Sequence, residues 1–283
     1  MNAIEITDVS YTYSKNTPFE KLALDNVSLS FKAGMITGLM GHTGSGKSTL
    51  VRLLNGLEKP DTGVVKIFGE DIWQNPKEIQ KYRFKVGVVF QYPEYQLFEE
   101  TVRADIAFGP KNMKLDSDEI ETRVHDAAKL CGIDDSILEK SPFDLSGGQK
   151  RRVAIAGIMA MQPEILVLDE PAAGLDPRGR EEIFSGILEY QKAKNATVII
   201  VSHSMEDMAK YSDEITVMSK SSIFMQGTKE EVFIHSKELI SVGLDLPPIT
   251  HLSKELSHRM GIKSNCYSVE DAKNEIDRIL KAK

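Results

Sequence analysis

The stretch Gly41-His42-Thr43-Gly44-Ser45-Gly46-Lys47-Ser48 carries glycine, lysine and hydroxyl side chains in the spacing G-x-x-x-x-G-K-S. Glycines let the backbone curl until successive N–H groups point inward, and such a nest holds a polyphosphate. Lys47 adds a point charge for the β and γ phosphates. The Ser48 hydroxyl, with Thr49 beside it, suits Mg²⁺ and phosphate oxygens. Downstream, Asp169-Glu170 places paired carboxylates after four apolar residues. The first suits a magnesium ion held through water, and the second suits orienting or deprotonating an attacking water. Gln91 and His203 also follow apolar runs. The amide could reach the metal and the water, and the imidazole a γ-phosphate; a lone histidine after a strand is as readily structural.

These groups can converge only if each ends a strand of one parallel sheet, where the ligand crevice lies at the carboxyl ends. The sequence supplies such strands. Met35–Met40 precedes the glycine loop, and Leu50, Leu53, Leu54 and Leu57 follow it at helical spacing. Val86–Phe90 precedes Gln91, and Val86–Phe90 reads as covered on both faces. Ile165–Leu168 precedes Asp169, and Val198–Val201 precedes Ser202-His203. Helical segments separate these runs, which predicts an α/β fold with a parallel core sheet. Ile215–Met218 and Ser222–Met225 read as a pair of edge strands. Ile4–Ile6, the alternating Val27, Leu29 and Phe31, and Val64–Ile67 predict an N-terminal antiparallel sheet. Tyr13, at the end of Val9–Tyr13, could stack on an adenine ring or simply pack at a strand edge.

A second anion site is legible at Leu145-Ser146-Gly147-Gly148-Gln149, where a hydroxyl and backbone N–H groups open another helix. Lys150, Arg151 and Arg152 follow, where the helix dipole does not favour cations; they form a solvated face or help attract the anion. Tyr92-Pro93-Glu94-Tyr95-Gln96-Leu97-Phe98 concentrates apolar surface in a proline-broken loop directly after Gln91. Such a loop either docks a partner, here with Tyr92, Tyr95, Leu97 and Phe98, or collapses into a local core. Asp116–Cys131 has helical periodicity. Past Gly227 the character changes, and Pro247-Pro248 breaks the chain. Ile249, Leu252, Leu256 and Met260 form one helical stripe; Val269, Ala272, Ile276, Ile279 and Leu280 form another behind a Ser268…Asp271 capping box. The expected division is a nucleotide-binding domain over 1–243, with a helical subdomain over about 92–160, and a helical C-terminal dimerisation appendage over 244–283, whose apolar faces suit pairing with another ATPase.

The 283 residues carry a net charge of −7, which argues against a protein that coats nucleic acid. Two cysteines far apart, Cys131 and Cys266, have no metal-ligand spacing and suit a reducing cytosol. The N-terminus does not read as a signal peptide, and no apolar run approaches the ~20 residues of a membrane span, so a membrane role would need a partner. No internal repeat or low-complexity tract is present.

With these pieces in order, the chain resembles an ATP-binding cassette (ABC) ATPase. Leu145–Gln149 matches the LSGGQ signature, Tyr13 the A-loop aromatic, Gln91 the Q-loop, Ala173-Gly174-Leu175-Asp176 the D-loop and His203 the H-loop. The resemblance implies that Ser146, Gly147, Gly148 and Gln149 close on ATP held by a partner subunit, so that two cassettes sandwich two nucleotides. Phe90–Val102, Ala107–Asn112 and Leu244–Pro248 are similar to the ATPases of energy-coupling factor (ECF) importers, which take up vitamins and transition-metal ions. Gly41–Gly44 and Ser202–Asp207 look most like the second of their two paralogous subunits. One departure is Pro171-Ala172-Ala173, where the family commonly carries threonine at the second position.

The resemblance implies ATP and Mg²⁺ as ligands, hydrolysis coupled to import, and a peripheral place on the cytoplasmic membrane face. It also implies partners: a paralogous ATPase in a heterodimer, a membrane coupling (T) subunit and a substrate-binding (S) subunit. The alternative is a soluble ABC switch on nucleic acid or the ribosome. Such proteins typically carry long coiled-coil insertions or two cassettes, and neither is present. A P-loop kinase or GTPase would leave the signature and His203 unexplained.

Overall fold

The computed structural model describes residues 1–260 and 266–281. Ten strands and eleven α-helices, with short 3-10 turns between some of them, make up the described residues. They begin with β1 (Asn2–Tyr13), β2 (Lys21–Lys32), β3 (Ile36–Met40), α1 (Lys47–Leu54), β4 (Thr62–Ile67), β5 (Glu70–Asp71), α2 (Ile79–Lys85) and β6 (Val86–Val89). A helical stretch follows: α3 (Val102–Asn112), α4 (Ser117–Leu130) and α5 (Gly147–Met159). The chain then returns through β7 (Ile165–Asp169), α6 (Pro177–Lys194), β8 (Thr197–Val201), α7 (Met205–Tyr211), β9 (Glu214–Ser219) and β10 (Ser222–Thr228). It ends with α8 (Lys229–Ile234), α9 (Ser236–Ser241), α10 (Pro248–Met260) and α11 (Val269–Lys281).

The strands form a four-stranded antiparallel sheet, β2-β1-β4-β5, and a six-stranded sheet, β10-β9-β3-β8-β7-β6. In the larger sheet β9, β3, β8, β7 and β6 run parallel and β10 is antiparallel to β9. Both faces are covered, which explains the continuous apolar runs. Ile165 and Val167 of β7, with Ile199 and Val201 of β8, pack toward the antiparallel sheet and α1. Leu166, Leu168, Val198 and Ile200 pack against the helices on the other side.

Three strand expectations are refined. Val86–Val89 is buried yet forms the sheet's edge, because α2 and α5 also pack against it. β9 is not an edge strand: it pairs in parallel with β3, leaving β10 outermost. β1 lies between β2 and β4, so Tyr13 ends an interior strand.

The helical tail is continuous with the core. Leu244, Leu246 and Tyr267 are buried in the same apolar cluster as Val232 and Phe233, and Tyr267 stacks on Phe233 with ring centroids 5.4 Å apart. The Ser268 capping box forms: the Asp271 N–H donates to Ser268 Oγ at 3.0 Å, and the Ser268 N–H donates to Asp271 Oδ2 at 2.9 Å. Of the two expected stripes, Leu252, Val269 and Ile276 are exposed and Ala272 is buried. The side chains of Leu256, Met260 and Leu280 lie outside the described residues.

Candidate functional site

The parallel strands bring their carboxyl ends to one rim, and four loops meet there. After β3 the chain turns through the glycine loop into α1. Gly46 takes a left-handed conformation (φ +107°), and a Cβ there would lie 2.6 Å from the Ala23 carbonyl oxygen. Gly41 is pressed as closely against the Met218 carbonyl, where a Cβ would approach to 2.4 Å. Only glycine fits either position, so the loop's curvature is fixed by its backbone contacts with β2 and β9. Ser45 is buried with its hydroxyl unpartnered in the protein.

A cavity of about 850 Å³ opens over this loop. It is lined by Tyr13, Gly41, His42, Thr43, Gly44, Gly46, Lys47, Ser48, Thr49, Gln91, Asp169, Glu170 and His203. The structure thus gathers the nucleotide-site residues the sequence singled out, except buried Ser45; the signature, Asp176 and the aromatic loop do not line this cavity. Tyr13 accepts or donates a hydrogen bond with Thr49 Oγ1 at 3.2 Å, and its ring meets that of Tyr11 edge-on at 4.9 Å.

The charged groups hold one another. Lys47 Nζ donates to the carbonyl oxygens of Gly41 at 2.6 Å and His42 at 3.1 Å. Desolvation lowers the Lys47 ammonium, against the pull of Asp169 and Glu170. Burial, and secondarily the Glu170 charge, push Asp169 up to about 6. Glu170 turns through a left-handed backbone (φ +52°) that its N–H fixes by donating to Val201 O at 2.8 Å. Its carboxylate then accepts from Ser202 Oγ at 3.2 Å and from the His203 backbone N–H at 3.1 Å, and lies 2.7 Å from His203 Nδ1. A carboxylate beside an imidazole at the mouth of an anion-binding loop suits activation of a water.

The signature forms the N-terminus of α5 in a full capping box. Ser146 Oγ accepts from the Gln149 N–H at 3.3 Å, and Gln149 Oε1 accepts from the Ser146 N–H at 3.0 Å. The Gly147 and Gly148 N–H groups, as first-turn donors, have no intrahelical acceptor. Asp176 caps α6 by accepting from the Gly179 N–H at 2.6 Å.

Two findings depart from the sequence reading. Arg151 belongs neither to a solvated face nor to an anion site: it is 3 % exposed and bonded to Glu94 and the Ala173 carbonyl. The cavity is also lined by Lys21, Ala23, Met205, Gly243, Leu244 and Asp245, which sequence reasoning missed. Lys21 had a signal, since it faces Tyr13 across the first hairpin. Leu244 and Asp245 had none, because their approach depends on how the tail folds back.

The aromatic loop resolves into two parts. Tyr92, Tyr95 and Phe98 are 51 %, 83 % and 58 % exposed, whereas Leu97 is partly buried against the core. Leu97 and Phe98 line a second cavity of about 340 Å³ with Phe108, Val153, Ile158 and Met161. Buried Asp105 fixes this rim by accepting from the Phe98 and Glu99 N–H groups, each at 3.3 Å.

A glycine loop, a strand-end carboxylate pair and a capped signature helix on this two-sheet frame define an ATP-binding cassette. The family described as "ABC transporter" matches residues 24–173. The energy-coupling factor transporter ATP-binding protein EcfA2 of Clostridium acetobutylicum is 50 % identical over 281 residues, covering 99 % of this chain and 98 % of its own. The protein of that name from Clostridium tetani is 49 % identical over 283 residues, 99 % of this chain and 98 % of its own. Among solved structures, cbiO1 of Clostridium perfringens, part of the ABC transporter complex cbiONQ, superposes with a TM-score of 0.76. It is 40 % identical and covers 89 % of this chain and 99 % of its own. A dimeric cassette in a post-hydrolysis state bound to ADP and Pi superposes with a TM-score of 0.72 at 28 % identity, over 80 % of this chain and 98 % of its own. The chain belongs to the ABC transporter family and, within it, to the energy-coupling factor transporter ATP-binding proteins. It is an ATPase.

Proposed function

We propose that the chain is the second of two paralogous ATPases in an ECF importer, paired with the other as a heterodimer at the cytoplasmic membrane face. A coupling (T) subunit would dock at the aromatic loop, and a substrate-binding (S) subunit would deliver a vitamin or transition-metal ion. The observation that carries the reading is the separation of the two anion sites. The glycine loop, Gln91, Asp169, Glu170 and His203 share one cavity, while Ser146, Gly147, Gly148 and Gln149 do not line it. A second cassette completes each site. No described helix is long and apolar enough to cross a membrane, so attachment rests on partners.

At the site, Tyr13 stacks on adenine and the loop N–H groups of Gly41–Ser48 take the phosphates. Lys47 leaves its own loop carbonyls for the β and γ phosphates. The residues suit Mg²⁺: the cavity lining offers a hydroxyl, an amide and a carboxylate in Ser48, Gln91 and Asp169, and this ion needs only one or two carboxylates, with water and phosphate oxygens completing its shell. Ser48, Gln91 and Asp169 would hold it, and the raised Asp169 carboxyl is what a nearby cation would relieve. When bound, the ion would neutralise charge on the phosphates. Glu170 takes a proton from the attacking water, and His203 orients that carboxylate and reaches toward the γ-phosphate.

The docking assignment is tested by Tyr95→Ala combined with Phe98→Ala. ATP affinity of the isolated subunit should stay at the wild-type value, because neither residue lines the nucleotide cavity. Recovery of membrane partners in mild detergent, and uptake by the reconstituted complex, should both fall. Normal recovery and uptake would reject docking at this loop; loss of ATP affinity as well would mark the aromatics as local core. Recovery of the wild-type chain with nucleic acid or ribosomes would favour the soluble switch.

A further inference from the structure

Arg151 is the one buried arginine or lysine among the described residues, and nothing in the reading above uses it. Its Nε and Nη2 donate to the two oxygens of Glu94, each at 3.2 Å, and its Nη1 donates to the Ala173 carbonyl. Glu94 lies in the 3-10 turn Pro93–Gln96, next to exposed Tyr95. Ala173 stands at the head of the segment Ala173–Asp176, which leaves the turn over 171–174 and leads into α6. One guanidinium on the signature helix therefore bridges the loop after Gln91 and the Ala173–Asp176 segment, whose Leu175 lies beside the signature.

We propose that Arg151 is a positioning residue that sets the Ala173–Asp176 turn according to the state of the Tyr92–Phe98 loop, and so ties docking of the membrane partner to ATP turnover. The inference rests on the docking reading given above. A guanidinium is planar, with its donors at fixed angles, so its bonds cannot move independently. A shift of Glu94 tilts the fork and displaces the Ala173 carbonyl. The turn can respond, because its own bonds are short-range: Ala173 N–H to Glu170 O at 3.2 Å and Leu175 N–H to Ala172 O at 3.3 Å. Gly174, at φ +75° and with open space around it, is a natural hinge. The body of α6 stays anchored meanwhile, since Arg152 pairs with Glu182 there. Leu175 packs toward the signature itself, lying 3.3 Å from where a Gly148 Cβ would be. Movement of the turn is thus felt at the signature as well.

The test uses the complete membrane assembly carrying Arg151→Lys, Glu94→Gln, or both. Lysine keeps the charge but has one nitrogen, so it cannot hold the carboxylate and the carbonyl in one plane. Glutamine keeps the shape of Glu94 and removes its charge. The complexes should assemble, with KM for ATP within about two-fold of wild type, because the change leaves ground-state binding alone. Turnover in the assembly and solute imported per ATP should fall by roughly 2- to 30-fold. The double variant should be no worse than the worse single one, as expected for two ends of one link. Unchanged import per ATP in Arg151→Lys would overturn the proposal. So would effects that add in the double variant, or a loss that follows the melting temperature and KM together. Where Arg151→Lys fails to fold, Glu94→Gln carries the same test. Failure of the docking reading would appear separately, as undiminished assembly and uptake in the Tyr95→Ala, Phe98→Ala complex.

Discussion

Glu170→Gln separates nucleotide binding from chemistry, and the contacts of Glu170 indicate how cleanly. The carboxylate accepts from Ser202 Oγ on one oxygen and faces the His203 N–H and Nδ1 with the other. In the variant, the amide oxygen keeps the His203 side and the amide nitrogen donates to the Ser202 hydroxyl, which rotates to accept. Shape and contacts survive, so ATP affinity should hold. What is lost is a proton acceptor beside the attacking water, worth roughly 10²- to 10⁴-fold in rate. That corresponds to about 3–5 kcal/mol of barrier. The assay is single-turnover hydrolysis by the assembled ATPase pair, alongside equilibrium ATP binding. Hydrolysis slowed by that range with unchanged affinity, and an ATP-bound pair that accumulates closed, is the expected result. A rate within about three-fold of wild type would show that another group activates the water.

Lys47→Ala should instead weaken ATP binding and turnover together, because it removes a charge from ground and transition states alike; wild-type turnover at the mutant's own site would refute the phosphate assignment. Asp169 makes two opposite pH predictions. Its carboxyl is raised to about 6 in the folded chain, so folding binds that proton. The stability it contributes without ligands is present below the ordinary carboxylate value and is lost as pH rises through about 6. The Mg²⁺-dependent part of ATP affinity needs the ionised form and should fade as pH drops below about 6, by at most ~10-fold per unit; a flat profile by calorimetry would exclude Asp169 as a ligand. For the tail, truncation after Gly243 should lower the melting temperature, because it strips Leu244, Leu246 and Tyr267 from the core. Leu252→Ser with Ile276→Ser, both at exposed positions, should leave melting unchanged and weaken pairing with the other ATPase; unchanged subunit affinity would refute the pairing role.

The shared rim was legible in the sequence because its pieces sit at strand ends, and strand ends are local signals. Four apolar residues followed by Asp169-Glu170, or by Ser202-His203, announce a rim position whatever lies elsewhere. Parallel pairing then brings those rims together. Strand order was not legible. Ile215–Met218 has the apolar run of a buried strand and a hairpin partner, and nothing local states that it also pairs with β3. The Arg151 cluster was hidden for a related reason. Three consecutive cations at a helix start read as surface, and only the three-dimensional approach of Glu94 and Ala173 makes burial of the middle one tolerable. Leu244 and Asp245 reach the nucleotide cavity by a fold-back over Gly243, at φ +77°, that no periodicity encodes.

The resting contacts also bear on why one cassette should be a poor enzyme. Lys47 is satisfied by its own loop carbonyls, and Glu170 by Ser202 and His203. Each must exchange protein partners for ligand before chemistry, and that exchange costs part of the binding energy. ATP supplies replacements for Lys47 at once, since its phosphates are stronger acceptors than carbonyls. Glu170 would gain less under the proposed function, because its donors would stay in place until His203 was drawn toward the γ-phosphate. The Gly147 and Gly148 N–H groups have the opposite problem: as first-turn donors of α5 they have no intrahelical acceptor. Closure of a second cassette would supply the anion to one site and the missing donors to the other. Turnover then depends on subunit concentration more steeply than ATP binding does, and a dilution series of the purified pair would show that difference directly.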